Sequence, residues 1–117
     1  MLLNWSSGPL AEGLRCYRSR HFFEAHEHWE GVWLQCEEPE KTMLQCLIQI
    51  AAAFHHLEKG NRRGAVSLLT RALGRLQPYP EELGGVSVRA IRQSVRDWLE
   101  RLNNPDALQE LPFPPIP

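Results

Sequence analysis

A disulfide framework is the first thing this sequence lacks. Its three cysteines, Cys16, Cys36 and Cys46, form no Cys-x-x-Cys pair and leave an odd count in 117 residues. That pattern suits a reducing, cytoplasmic setting, where such cysteines act as small hydrophobes. No apolar run approaches the roughly 20 residues that a membrane-spanning helix needs. The N-terminus has no basic segment followed by an apolar one, so no signal peptide is expected. A net charge of -1 gives no global pull toward nucleic acid or an anionic membrane. A Gly-rich phosphate loop, a Gly-x-Ser-x-Gly elbow and an alternating strand pattern are all missing.

The charge that is present is unevenly placed. Residues 21–60 carry seven acids against two lysines, and residues 61–104 carry eight arginines against four acids. Such asymmetry fits two halves that face each other, an acidic partner, or simply solvated helix faces.

Helical periodicity fills most of the chain and predicts helices near 9–18, 21–36, 40–58, 62–77 and 88–102. Gly60-Asn61 supplies a helix stop followed by a good N-cap, Pro78 and Pro80 stop the fourth helix, and Ser87 can cap the fifth after a Gly84-Gly85 turn. The expected fold class is therefore all-α: a bundle of about five helices, built from two helical hairpins plus a C-terminal helix, as one domain over 1–104. A proline-rich tail, 105–117, should lie extended over the body or stay mobile. An offset of 40 residues aligns Leu10, Leu14 and Tyr17 with Ile50, Phe54 and Leu57, and Ala25, Trp29, Trp33 and Cys36 with Ala65, Leu69, Leu73 and Leu76. Internal repetition and the chance likeness of two amphipathic hairpins both produce that spacing.

On a wheel at about 100° per residue, Phe22, Ala25, Trp29, Val32, Trp33 and Cys36 form the core arc of the second helix. Glu24 and His28 face water. His26 and Glu30, one turn apart, sit beside the core arc with Phe23 and Leu34 beyond them, so both are expected to be at least half buried and in need of partners. At the offset of 40 they align with Val66 and Thr70. The third helix is apolar around most of its circumference and should be central. Its narrow polar stripe holds Gln45, Gln49 and His56, with Ala52 and Ala53 beside them.

Three uses of these groups stay open. His26, Glu30 and His56, with Glu27 as a fourth, could bind a divalent metal, since His-Glu-x-x-Glu departs by one residue from the His-Glu-x-x-His zinc motif. His26 and Glu30 could instead form a structural hydrogen-bond network with Gln49 or His56. A small-molecule pocket lined by the same groups, Trp29 and Trp33 is the third. On the fifth helix Arg89, Arg92 and Arg96 form a ridge that reads as an anion contact or a solvated face. Nucleic acid is not the expected partner, because the chain is not basic and aromatics do not interleave with the ridge. Four tryptophans in 117 residues are a compositional hint of a homodimer.

Taken together, Phe23-Glu-Ala-His-Glu-His-Trp-Glu30, Trp33, Leu47-Ile-Gln-Ile-Ala-Ala-Ala-Phe-His-His56, Gly60-Asn61, Gly64-Ala65 and Leu69-x-x-x-Leu73 resemble domain-of-unknown-function family 309, over about residues 10–77. The resemblance implies a small all-helical protein, and some members carry the label predicted metal-dependent hydrolase. Carried over by position, it points to His26, Glu27, Glu30, Trp33, Gln49 and His56. In an enzyme, His26 would be a metal ligand or general base, Glu30 would orient it or share the metal, and Gln49 and His56 would bind substrate or complete the shell. In the alternative the chain is a helical-hairpin interaction module, whose tail or arginine ridge meets a protein partner.

Overall fold

The computed structural model describes residues 3–104 and 110–117. Among them are five α-helices: α1 (Gly8–Arg18), α2 (Phe22–Trp33), α3 (Glu40–Glu58), α4 (Arg62–Leu76) and α5 (Val88–Leu102). This is the expected all-α bundle. Each helix packs on the next through α1–α4, and α5 packs on α4. The helix α3 is central, with nine buried residues from Met43 to Phe54. Burying each large aliphatic of that set stabilises the fold by about 1.5–3 kcal/mol, which is why this helix is apolar on most of its faces.

Glycine sets the contact between α1 and α2. A Cβ on Gly13 would lie 2.3 Å from Trp29 Nε1, so only glycine lets the indole lie against α1. The indole is fully buried, and Nε1 donates to Leu10 O at 3.2 Å, which satisfies its one polar atom.

Two features depart from the sequence expectations. The helix α2 ends at Trp33 rather than 36, because Leu34–Cys36 go into a turn. A small antiparallel pair, β1 (Glu82–Leu83) with β2 (Val86–Ser87), closes around Gly84 and Gly85. Both glycines have positive φ, +59° and +80°, which two-residue hairpin turns require. Two-residue strands are too short to show alternation, so the pair left no sequence pattern. The C-terminal segment packs on the helices, as one of the two expectations for it had it. Phe113 packs among Tyr17, Phe22, Phe54 and Trp98, and stacks on Trp98 with ring centroids 5.5 Å apart. Trp98 Nε1 donates to Pro112 O and Tyr17 Oη to Pro114 O, each at 2.9 Å. Thus 110–117 lie extended over the body, while 105–109 fall outside the described residues.

Candidate functional site

The seam between α2 and α3 carries most of the residues singled out above. Lys41 Nζ lies 5.1 Å from the centre of the Trp33 ring, Phe22 meets Phe54 at 5.5 Å and Phe23 meets His55 at 5.4 Å. These contacts run antiparallel, and the same register sets Gln49 level with the turn of α2 that bears His26. His26 and Trp33 are seven residues apart on α2, so they stand about 10 Å apart along the axis.

Three buried side-chain polar atoms have no hydrogen-bond partner among the described residues: His26 Nδ1, Trp33 Nε1 and Gln49 Oε1. All three belong to the predicted set. A buried polar group left unpaired costs about 1–3 kcal/mol, and all three of these stand in the α2–α3 seam.

The other expected partners are arranged differently. Glu30 Oε2 stands 3.6 Å from His26 Nδ1, beyond an ordinary hydrogen bond. The His26 side chain is 30% exposed and the Glu30 side chain 51%, so Glu30 is not the half-buried group the helical wheel suggested. Phe23 and Leu34 do not cover it, because each stands largely in solvent. Phe23 instead lies beside the His26 ring, centroids 6.2 Å apart and nearly parallel. Glu27 is exposed and makes no hydrogen bond or ion pair among the described residues. His56 turns toward the next helix: its Nδ1 is 3.2 Å from Asn61 Nδ2, while Asn61 Oδ1 caps α4 by accepting from Gly64 N. The imidazole that reaches α2 is His55, which was not singled out. Trp29 is committed to the core.

His26, Glu30 and His56 therefore do not meet as a donor set. Among the described residues no three His, Cys, Asp or Glu side chains stand close enough together to hold a metal ion. A metal of the kind the family label implies does not fit the groups present. Nucleophilic cysteine chemistry fits no better. Burial pushes the Cys46 thiol up to about 11 and also raises Cys36 and Cys16, so all three stay protonated near neutral pH.

Gln45, Gln49, Ala52 and His56 recur at helical spacing and form the half-buried stripe of α3, whereas Ala53 is in the core. At the N-terminal end of the stripe, Gln45 opens into a cleft of about 670 Å³ shared with Glu38, Thr42, Arg75, Tyr79 and Pro80. Tyr79 Oη donates to Pro39 O at 3.0 Å, which fixes the ring as a wall. The Glu38 carboxylate accepts from Thr42 N at 2.7 Å and from Thr42 Oγ1. Those two bonds lower its pKa, and they cap α3 from one residue before the usual capping position. Gln45 and Arg75 make no hydrogen bond or ion pair within the described residues. Sequence reasoning missed this cleft because Pro78-Tyr79-Pro80 reads only as a helix stop.

A comparison with curated proteins finds no match. The family described as Domain of unknown function (DUF309) matches residues 10–68, from α1 into α4 and across His26, Glu30, Gln49 and His56, and the chain belongs to that family.

Proposed function

We propose that this protein binds a small organic molecule along the polar stripe of α3, from the cleft at Gln45 to His26 on α2. The unpaired trio of His26 Nδ1, Trp33 Nε1 and Gln49 Oε1 carries this proposal. Trp33 offers a donor and Gln49 an acceptor, which suits a ligand with both functions, such as an amide or an acid. The adjoining cleft combines proline and tyrosine walls with the polar side chains of Glu38, Thr42, Gln45 and Arg75, a mix of apolar surface and converging polar groups that suits a small molecule. If the ligand is turned over, His26 is the group placed to move a proton, and Glu30 is near enough to orient it once a ligand excludes water. In that hydrolase-like role Glu27 and His56 take no direct part.

The test replaces each unpaired group by an apolar residue of similar size: His26→Val, Trp33→Phe and Gln49→Leu. Groups kept for a ligand leave the free protein as stable as before, or more stable by about 1–3 kcal/mol. The same changes should abolish NMR shifts that small organic fragments induce in α2 and α3 of the wild type. Loss of more than about 1 kcal/mol in these variants would show that the trio is structural and end the proposal.

The exposure of Phe23 (46%) and Leu34 (67%) favours a second use of α2. Phe23 in the first turn of α2 and Leu34 just past its end are eleven residues apart, about three helical turns, with Glu27 and Glu30 between them. In that case α2 is the contact surface of an interaction module, for a second copy or another protein. A chain that stays monomeric across the concentration range, with Phe23→Ser and Leu34→Ser no more soluble than wild type, would count against it.

A further inference from the structure

The arginine ridge of α5 lies outside the site above. Arg89, Arg92 and Arg96 share one cleft of about 500 Å³ with Gln77, Ser87 and Gln93. Among the described residues no carboxylate lines that cleft and none of the three arginines has an ion pair. Asp97, further along the same helix, is engaged by Gln93 Nε2 at 3.0 Å. Like charges one turn apart on a helix repel by a few tenths of a kcal/mol per pair, and a bound anion reverses that sign.

The cleft has a fixed wall. Arg92 Nη1 donates to Leu76 O at 2.8 Å, at the end of α4, and to Tyr79 O at 3.0 Å, in the turn that follows it. Those bonds pin the guanidinium through Nη1 and leave its remaining N–H groups for the cleft. Arg96 Nη2 reaches Gln77 Oε1 at 3.4 Å, a long bond that an incoming anion can replace. Ser87 caps α5 by accepting from Ala90 N at 3.3 Å, so its hydroxyl proton and the positive end of the helix add to the same side.

We propose that this cleft binds a phosphate-type oxyanion, with Arg89 and Arg96 as the clamping side chains and Arg92 held between them. Planar guanidinium groups match such oxyanions in pairs of N–H donors. The cleft is larger than a bare phosphate fills, which leaves room for the body of a small phosphorylated molecule.

Calorimetry on the full chain at about 0.15 M salt decides the matter, with inorganic phosphate and a sugar monophosphate as probes. Saturable binding is expected, weakened about tenfold or more by Arg89→Gln and by Arg96→Gln, and untouched by Arg63→Gln on the exposed start of α4. Tighter binding of the sugar phosphate assigns a phosphorylated molecule, and equal binding assigns free phosphate. Absence of saturation by either probe up to about 10 mM overturns the proposal. So does an equal loss in Arg63→Gln, which would mean diffuse attraction only. Phosphorus NMR linewidths with wild-type protein report binding independently of how any variant folds.

Discussion

The hairpins α1–α2 and α3–α4 share one backbone plan and differ in what they bury. Their turns match bond for bond at an offset of 40. His21 N donates to Cys16 O, and Asn61 N to His56 O, each at 2.8 Å. Arg20 N meets Tyr17 O at 3.0 Å, as Gly60 N meets Leu57 O at 3.1 Å. Arg20 and Gly60 both take positive φ, +66° and +81°. Ala25 and Ala65 are both fully buried, as are Trp29 and Leu69. The divergence is local. Asn61 caps α4 with its side chain, whereas His21 makes no such bond to α2. Where α4 carries Val66 and Thr70, with Thr70 Oγ1 bonded to Val66 O at 2.7 Å, α2 carries the unpaired His26 and the exposed Glu30. One frame thus holds both a satisfied seam and an unsatisfied one, and this contrast sets His26 apart from ordinary packing.

Breaking the shared frame should have the largest effect. Trp29→Ala is expected to cost about 3–5 kcal/mol in denaturant unfolding, and Leu69→Ala about 2–5 kcal/mol. A cost below about 1 kcal/mol for Trp29 would mean that it is not the core counterpart of Leu69. The close approach between helices comes next. Gly13→Ala puts a methyl where the Trp29 indole lies, with an expected loss of about 1–3 kcal/mol. Its mirror change in the second hairpin, Ala53→Gly, should cost about 1.5–2 kcal/mol, from helix entropy and one buried methyl. If Gly13→Ala costs nothing, the first hairpin does not depend on glycine. The smallest effect concerns the leading helices, since α3 is capped by Glu38 and Ser7 makes no side-chain bond to α1. The folded-state pKa of Glu38 is lowered, so its contribution is present above the ordinary value of 4.5 and is lost as pH falls through the folded value. The stability gap between wild type and Glu38→Gln should therefore close in acid. A gap as wide at pH about 3 as at pH about 7 would remove the carboxylate from this role.

Much of the frame was legible in residue order. Gly60-Asn61, Pro78, Pro80 and Ser87 punctuate the helices as local rules require, and the apolar periods of α3 placed it at the centre. The αL turn at Arg20 was legible only through its alignment with Gly60, because arginine carries no turn signal of its own. Of the site, His26, Trp33 and Gln49 could be named from a helical wheel and the family resemblance. Which of them would lack partners could not. His56 looked available because the wheel ignores the next helix, where Asn61 claims it. His55 looked peripheral because the wheel does not contain Phe23 of the facing helix.

Sequence by itself determined the helices, their order and the apolar arcs, because capping, proline stops and the 3.6-residue period act within a few residues. Tertiary structure alone decided that Phe113 completes the aromatic cluster, that Arg92 binds the end of α4 and the turn after it and lines a cleft with Arg89 and Arg96, and that three polar atoms in one seam have no hydrogen-bond partner among the described residues. Those outcomes depend on helix crossing and register, which bring together groups up to 97 positions apart, and no local rule carries that distance.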